Sequence, residues 1–142
     1  MTYATLDHLR DRYSERLLID LTDRGDVPTG AIDAGVVERQ LINTDAVIDG
    51  YIAGKYRLPL AEVPPIVRDL AEQIAIYKLH PFDPPAKIKD DYEASMRQLR
   101  DIASGTVRLP IAGVEPSGRN DGGVRTSDRE RPFSNENLHG FV

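Results

Sequence analysis

Three long runs in this sequence space their apolar side chains three and four residues apart, and prolines close the first two of them. The first carries Val37, Leu41, Thr44, Ile48 and Ile52; the second Ile66, Leu70, Ile74 and Tyr77; the third Ile88, Tyr92, Met96, Leu99 and Ile102. This is the period of an α-helix, and each run therefore forms a stripe that must be buried against another element. Local signals agree with the period. Asp33 is a good N-cap for the first run, whose Glu38, Arg39, Asp45 and Asp49 lie mostly off the apolar line. Gly50 and Gly54 near its end cost helix stability but permit close backbone approach or an early stop. Pro65 suits the first turn of the second run, and Val67, Ala71 and Ala75 widen its apolar side, which predicts a central, well-buried helix. The third starts near Pro85 and runs to about Ser104, with Gly105 as C-cap.

Ahead of these runs, Thr5 can cap a short helix through Arg12. Ser14 can cap a second, "ERLLIDLTD", with Leu17, Leu18 and Leu21 on one face. The expectation is an all-α fold: a small bundle of four to five helices over residues 1–105, with an extended, flexible C-terminal arm over 106–142. In that arm "TVRLPIAGV" is a candidate extended segment, and "EPSGRNDGGVRTSDRERP" mixes Gly, Pro, Ser and charge with no period. The arm ends in "FSNENLHGFV", where Phe133, Leu138, Phe141 and Val142 have no core of their own. These four are candidate docking residues that order on a partner; the bland reading is a flap packed on the same bundle.

The stretch between the first two runs, "YRLPLAEVPP", is the most unusual in the chain. Leu58 and Pro59 force an extended exit, Leu60 and Val63 can fold back as an apolar flap, and Pro64 with Pro65 restarts a helix in a fixed direction. Together with Tyr56 these residues predict a rigid elbow that sets a helix angle and takes part in subunit packing. An ordinary inter-helix connection would show the same periodicity.

Chemistry is hard to find. The chain has no cysteine, which excludes disulfides, thiolate catalysis and cysteine-ligated metals. His8, His80 and His139 sit in separate segments with no second histidine at helical spacing, so they read as surface or cap residues. Asp83, Asp90, Asp91 and Glu93 are interleaved with Lys87 and Lys89, as at a solvated helix start. No phosphate-binding glycine loop or nucleophile elbow occurs. The expectation is no enzyme, no metal and no cofactor. With 142 residues, one domain is expected; without an apolar run of roughly 20 residues or a signal sequence, so is a soluble, cytosolic chain with no membrane partner. Residues 1–105 hold 13 Lys and Arg against 18 Asp and Glu, while residues 106–142 hold 5 of each. That acidic balance disfavours tight nucleic-acid binding and favours protein partners.

The order "YAT…LLIDLTDR…INTDAVIDGYIAGKYRLPL…VPPIVRDLAEQIAIYKL", followed by "YEASMRQLRDIASGTVRLP", resembles a family of Mu-like phage and prophage proteins defined by a domain of unknown function. The resemblance covers roughly residues 2–110, and "FSNENLHGF" is similar to that family's ending. It implies a structural virion neck component, similar to the head–tail connectors, or adaptors, of tailed phages. Such connectors form a usually twelvefold ring beneath the portal, and the subunit is often a monomer in solution. The implied partners are further copies of the chain, the portal and a tail-side neck or stopper protein, with DNA only passing through the lumen. The implied location is the virion neck, and the host cytoplasm before assembly. Inward-facing carboxylates would keep such a lumen from gripping phosphate. The alternative is a small helical DNA-binding or regulatory module, with Thr5–Leu21 as a helix-turn-helix; the lack of a basic recognition helix opposes it. A nuclease using Asp83, Asp90 and Asp91 is the remaining possibility.

Overall fold

The computed structural model describes residues 2–111. Among them are five helices and no strand: α1 (Leu6–Tyr13), α2 (Glu15–Thr22), α3 (Ala34–Ile52), α4 (Pro65–Leu79) and α5 (Ala86–Ser104). The caps follow the sequence signals. Thr5 Oγ1 accepts the His8 N–H at 3.3 Å while His8 Nδ1 accepts the Thr5 N–H at 3.1 Å, so two of the unpaired donors at the start of α1 are satisfied reciprocally. Asp33 caps α3 by accepting from Gly35 N–H at 3.0 Å and Val36 N–H at 3.4 Å. Pro65 opens α4, and Gly105 ends α5 with φ 84°, a left-handed conformation that glycine adopts without steric cost.

A single residue separates α1 from α2. Ser14 donates its N–H to Arg10 O and caps α2 through Oγ, which accepts the Leu17 N–H at 3.5 Å. To serve both helices it takes φ 89° and ψ 147°, a region costing on the order of 1–3 kcal/mol for a residue with a side chain. The α2–α3 loop is gathered around Asp23, whose carboxylate accepts from the Thr29 N–H at 3.0 Å, the Gly30 N–H at 3.0 Å and the Thr29 hydroxyl at 3.1 Å. Those backbone hydrogen bonds hold its pKa below the ordinary carboxylate value. Thr22 then couples the two helices, donating its hydroxyl to Leu18 O at 2.7 Å and accepting the Asp33 N–H at 3.0 Å.

Helix α4 is the centre, as its wide apolar side predicts. Val67, Leu70, Ala71, Ile74, Ala75, Ile76 and Leu79 are all buried, with α3 and α5 packed along it and α1 against another part of its surface. Ile48 and Ile52 from α3, and Leu99 and Ile102 from α5, are also buried, while Leu9 and Leu18 close the bundle from the N-terminal pair. Tyr77, which the period places in the core, is instead only half-buried: its ring stacks on Tyr92 at 3.8 Å between centroids and 5° between planes. The reason is reach, because a ring this large extends past the helix interface and covers its edge.

Two core positions give contrasting expectations. Replacing the fully buried Ile74 by Ala should cost roughly 2–5 kcal/mol and lower the melting temperature sharply. Thr44 is fully buried, yet its hydroxyl has no hydrogen-bond partner among the described residues. Thr44→Val keeps the shape and removes the unpaired group, so its melting temperature should equal or exceed the parent's, by up to about 2 kcal/mol in stability. Chemical denaturation of the two variants beside the parent checks both expectations.

Candidate assembly surface

The elbow is built from the end of α3. Lys55 and Tyr56 both donate their N–H to Ile52 O, at 3.0 and 2.9 Å, which closes the helix in a tight last turn. Tyr56 is then carried inward to 3% exposure. Its hydroxyl accepts the Leu109 N–H at 2.8 Å, across 53 residues of chain. Leu60 is buried, Leu58 and Val63 pack half-buried on the core, and Pro64, itself buried, is the N-cap of α4; Pro59 faces solvent. The Leu58–Pro59 peptide bond is cis. The structure thus gathers five of the six predicted elbow residues on the bundle and leaves Pro59 at the tip.

The same tyrosine fixes the chain after α5. Val107 donates its N–H to Asp101 O at 3.1 Å, Leu109 is buried, and Ile111 packs on the core's edge. The first residues of the expected arm therefore lie along the bundle. Lys55 also serves this end: a Cβ on Gly105 would stand 3.4 Å from Lys55 Nζ, so the ammonium lies at the C-terminus of α5, where the helix dipole favours a cation. Phe133, Leu138, Phe141 and Val142 lie outside the described residues.

Sequence reasoning missed a groove between α3 and α5. It is an open depression of about 400 Å³ lined by Ala46, Val47, Gly50, Tyr51, Tyr92 and Met96. Nothing stands within 4 Å of a Cβ built on Gly50, so this glycine faces open space and is not used for close approach inside the subunit. Next to the groove, Arg97 and Arg100 join Tyr92, Met96 and Glu93 around a second depression. Three large apolar side chains also protrude: Phe82 at 86% exposure, Val27 at 77% and Ile42 at 54%. The available sequence signal for the groove was small Ala46 and Gly50 at helical spacing off the buried line; for Phe82, it was an aromatic enclosed by Pro81, Pro84 and Pro85.

Several charged groups fasten segments together. Tyr3 donates its hydroxyl to Asp49 and its N–H to Asp45 Oδ1, the latter at 3.1 Å. Burial pushes the Tyr3 phenol upward, with the hydrogen bond to Asp49 and the charges of Asp49 and Asp45 adding to it. Burial also raises Asp45, opposed by the Tyr3 N–H and assisted by the charge of Asp49. Arg12 reaches from α1 to Asp69 and Glu72 on α4. Lys87 pairs with Asp91 at 2.7 Å within α5, and among the described residues no cluster of three or more His, Asp or Glu is arranged to hold a metal ion. His80 Nδ1 lies 2.7 Å from Ile76 O, so His8 and His80 both act at helix ends; His139 lies outside the described residues. No helix among the described residues is long and apolar enough to cross a membrane.

The sequence profile of the Bacteriophage Mu Gp36 family matches residues 3–127. The chain belongs to that family. The Gp36 match spans all five helices, the elbow and the groove, and it ends before Phe133. Among curated relatives, gene product J of Escherichia phage Mu is 32% identical over 105 residues, covering 74% of each chain. The Mu-like prophage FluMu protein gp36 of Haemophilus influenzae is 25% identical over 140 residues, 99% of this chain and 98% of the relative, so that similarity continues through the C-terminal segment. The expected Mu-like phage and prophage relationship is therefore the one found.

Removal of the Tyr56 hydroxyl tests the elbow. Tyr56→Phe leaves the packing in place but strands the buried Leu109 N–H, which should cost about 1–3 kcal/mol. Hydrogen exchange at the Leu109 amide should accelerate more than at amides in the centre of α4.

Proposed function

We propose that this chain is a phage structural or assembly protein, and specifically a head–tail connector, or adaptor, that forms a ring between portal and tail. The particle is a tailed phage, a prophage product or a gene transfer agent. Membership of the Bacteriophage Mu Gp36 family carries this reading. The geometry suits it: a small helical bundle holds its elbow rigidly through Tyr56, Leu60 and Pro64, and so offers neighbours a surface of fixed shape.

In this reading the partners are further copies of the chain, the portal and a tail-side neck or stopper protein. The protein resides in the host cytoplasm before assembly and in the virion neck afterwards, with no cofactor, no membrane and no catalysis. DNA passes through the lumen without being gripped, in keeping with the excess of Asp and Glu over Lys and Arg in residues 1–105. Phe133, Leu138, Phe141 and Val142 are the proposed docking residues of the C-terminal segment, since apolar area of this kind gains most when a partner covers it.

Deletion of residues 132–142 tests the assignment. The truncated chain should keep the helical circular dichroism and melting temperature of the parent but fail to co-sediment with portal-bearing heads. A large loss of stability with binding intact would identify the segment as a flap on its own bundle. Failure of the full chain itself to bind such heads would overturn the connector reading.

A further inference from the structure

The most exposed apolar side chain among the described residues, Phe82, and a shallow apolar groove share no residue within one subunit. Phe82 is 86% exposed in the α4–α5 loop, and the prolines on either side restrict that loop before any contact is made. A rigid, presented aromatic loses little freedom on docking, which makes it an efficient anchor. The groove of Ala46, Val47, Gly50, Tyr51, Tyr92 and Met96, about 400 Å³, has room for a phenyl ring, and its glycine floor removes the side chain that would otherwise fill it. Phe82 does not occupy the groove of its own chain, as its exposure shows.

Charge agrees with shape. Asp83 follows Phe82 directly and makes no ion pair among the described residues. Beside the groove Arg97 and Arg100 are exposed and also without an ion-pair partner there, against one acid, Glu93. An acidic knob thus meets a rim with an excess of positive charge, an arrangement that orients encounter. We propose that Phe82 of one copy inserts into the α3–α5 groove of a second copy, with Asp83 facing Arg97 and Arg100. Knob and groove share no residue, so each copy offers both halves of the contact: passed from copy to copy it closes a ring when the rotation allows, and exchanged mutually by two copies it makes a two-fold dimer. The biological setting rests on the neck reading above; the pairing itself does not need a portal.

The absence of native cysteine makes the contact directly measurable on the full chain. Pro81→Cys, beside the anchor, and Ala46→Cys, in the groove, both alter exposed positions. Differently tagged single-cysteine chains are mixed at high concentration in a glutathione redox buffer, and mixed disulfide dimers are counted. The 81–46 dimer should exceed, roughly tenfold, a control in which Glu62→Cys on the elbow replaces Pro81→Cys, the scale of losing one aromatic anchor. Adding Phe82→Ala to one chain, or Gly50→Leu to the other, should return the yield to that of the control. The leucine meets no atom of its own subunit at its Cβ, and circular dichroism checks that each variant stays folded. A yield no higher than the control overturns the pairing. So does an excess that survives Phe82→Ala but disappears on deletion of residues 132–142, which would assign the groove to the C-terminal segment. Either failure leaves the neck reading standing, because binding to portal-bearing heads is measured separately.

Discussion

Burial around α4 is the constraint on which the rest of the bundle depends. Leu70, Ile74 and Val67 point one way from this helix while Ala71, Ala75, Ile76 and Leu79 widen the buried arc, so a single neighbour cannot cover it. Helices must lie along more than one side, and α3, α5 and α1 do so. The alanines matter as much as the larger residues, because small side chains let neighbouring helices approach. Where α4 begins is then set by the elbow, through buried Leu60 and Pro64, and the elbow in turn is held by Tyr56.

The N-terminal pair is attached differently. Tyr3 reaches Asp45 and Asp49 by hydrogen bonds, and Arg12 reaches Asp69 and Glu72 by ion pairs that remain partly in water and contribute little on their own. Leu9 and Leu18, both fully buried, supply the attachment, and the polar contacts fix its register.

Much of the fold was legible because it is encoded locally. Thr5, Ser14, Asp33, Pro65 and Gly105 each mark a helix end by a mechanism that involves only a few neighbouring residues, and all five stand where those mechanisms place them. What escaped the sequence depends on adjacency between distant segments. Nothing near Tyr56 announces that its hydroxyl will meet Leu109, and nothing near Thr44 announces that its hydroxyl will meet no partner. Tyr77 shares the period of Ile74 but is placed at the margin by its length and by Tyr92. The groove is the clearest case: Gly50 reads as a weak point in a helix, and only the position of α5 turns it into the floor of a depression.

The Tyr56–Leu109 hydrogen bond gives the subunit a direction. It holds the chain after α5 at the elbow end of α4, while the proline-bound loop carrying Phe82 follows the other end of that helix, 15 residues and about 22 Å away. In a ring with one rotation axis, equivalent points share one plane perpendicular to that axis. The Ile111 positions of all copies would then lie on one circle, and with α4 along the axis the Phe82 loops would lie on another, so that the two ends of such a ring would be chemically unlike.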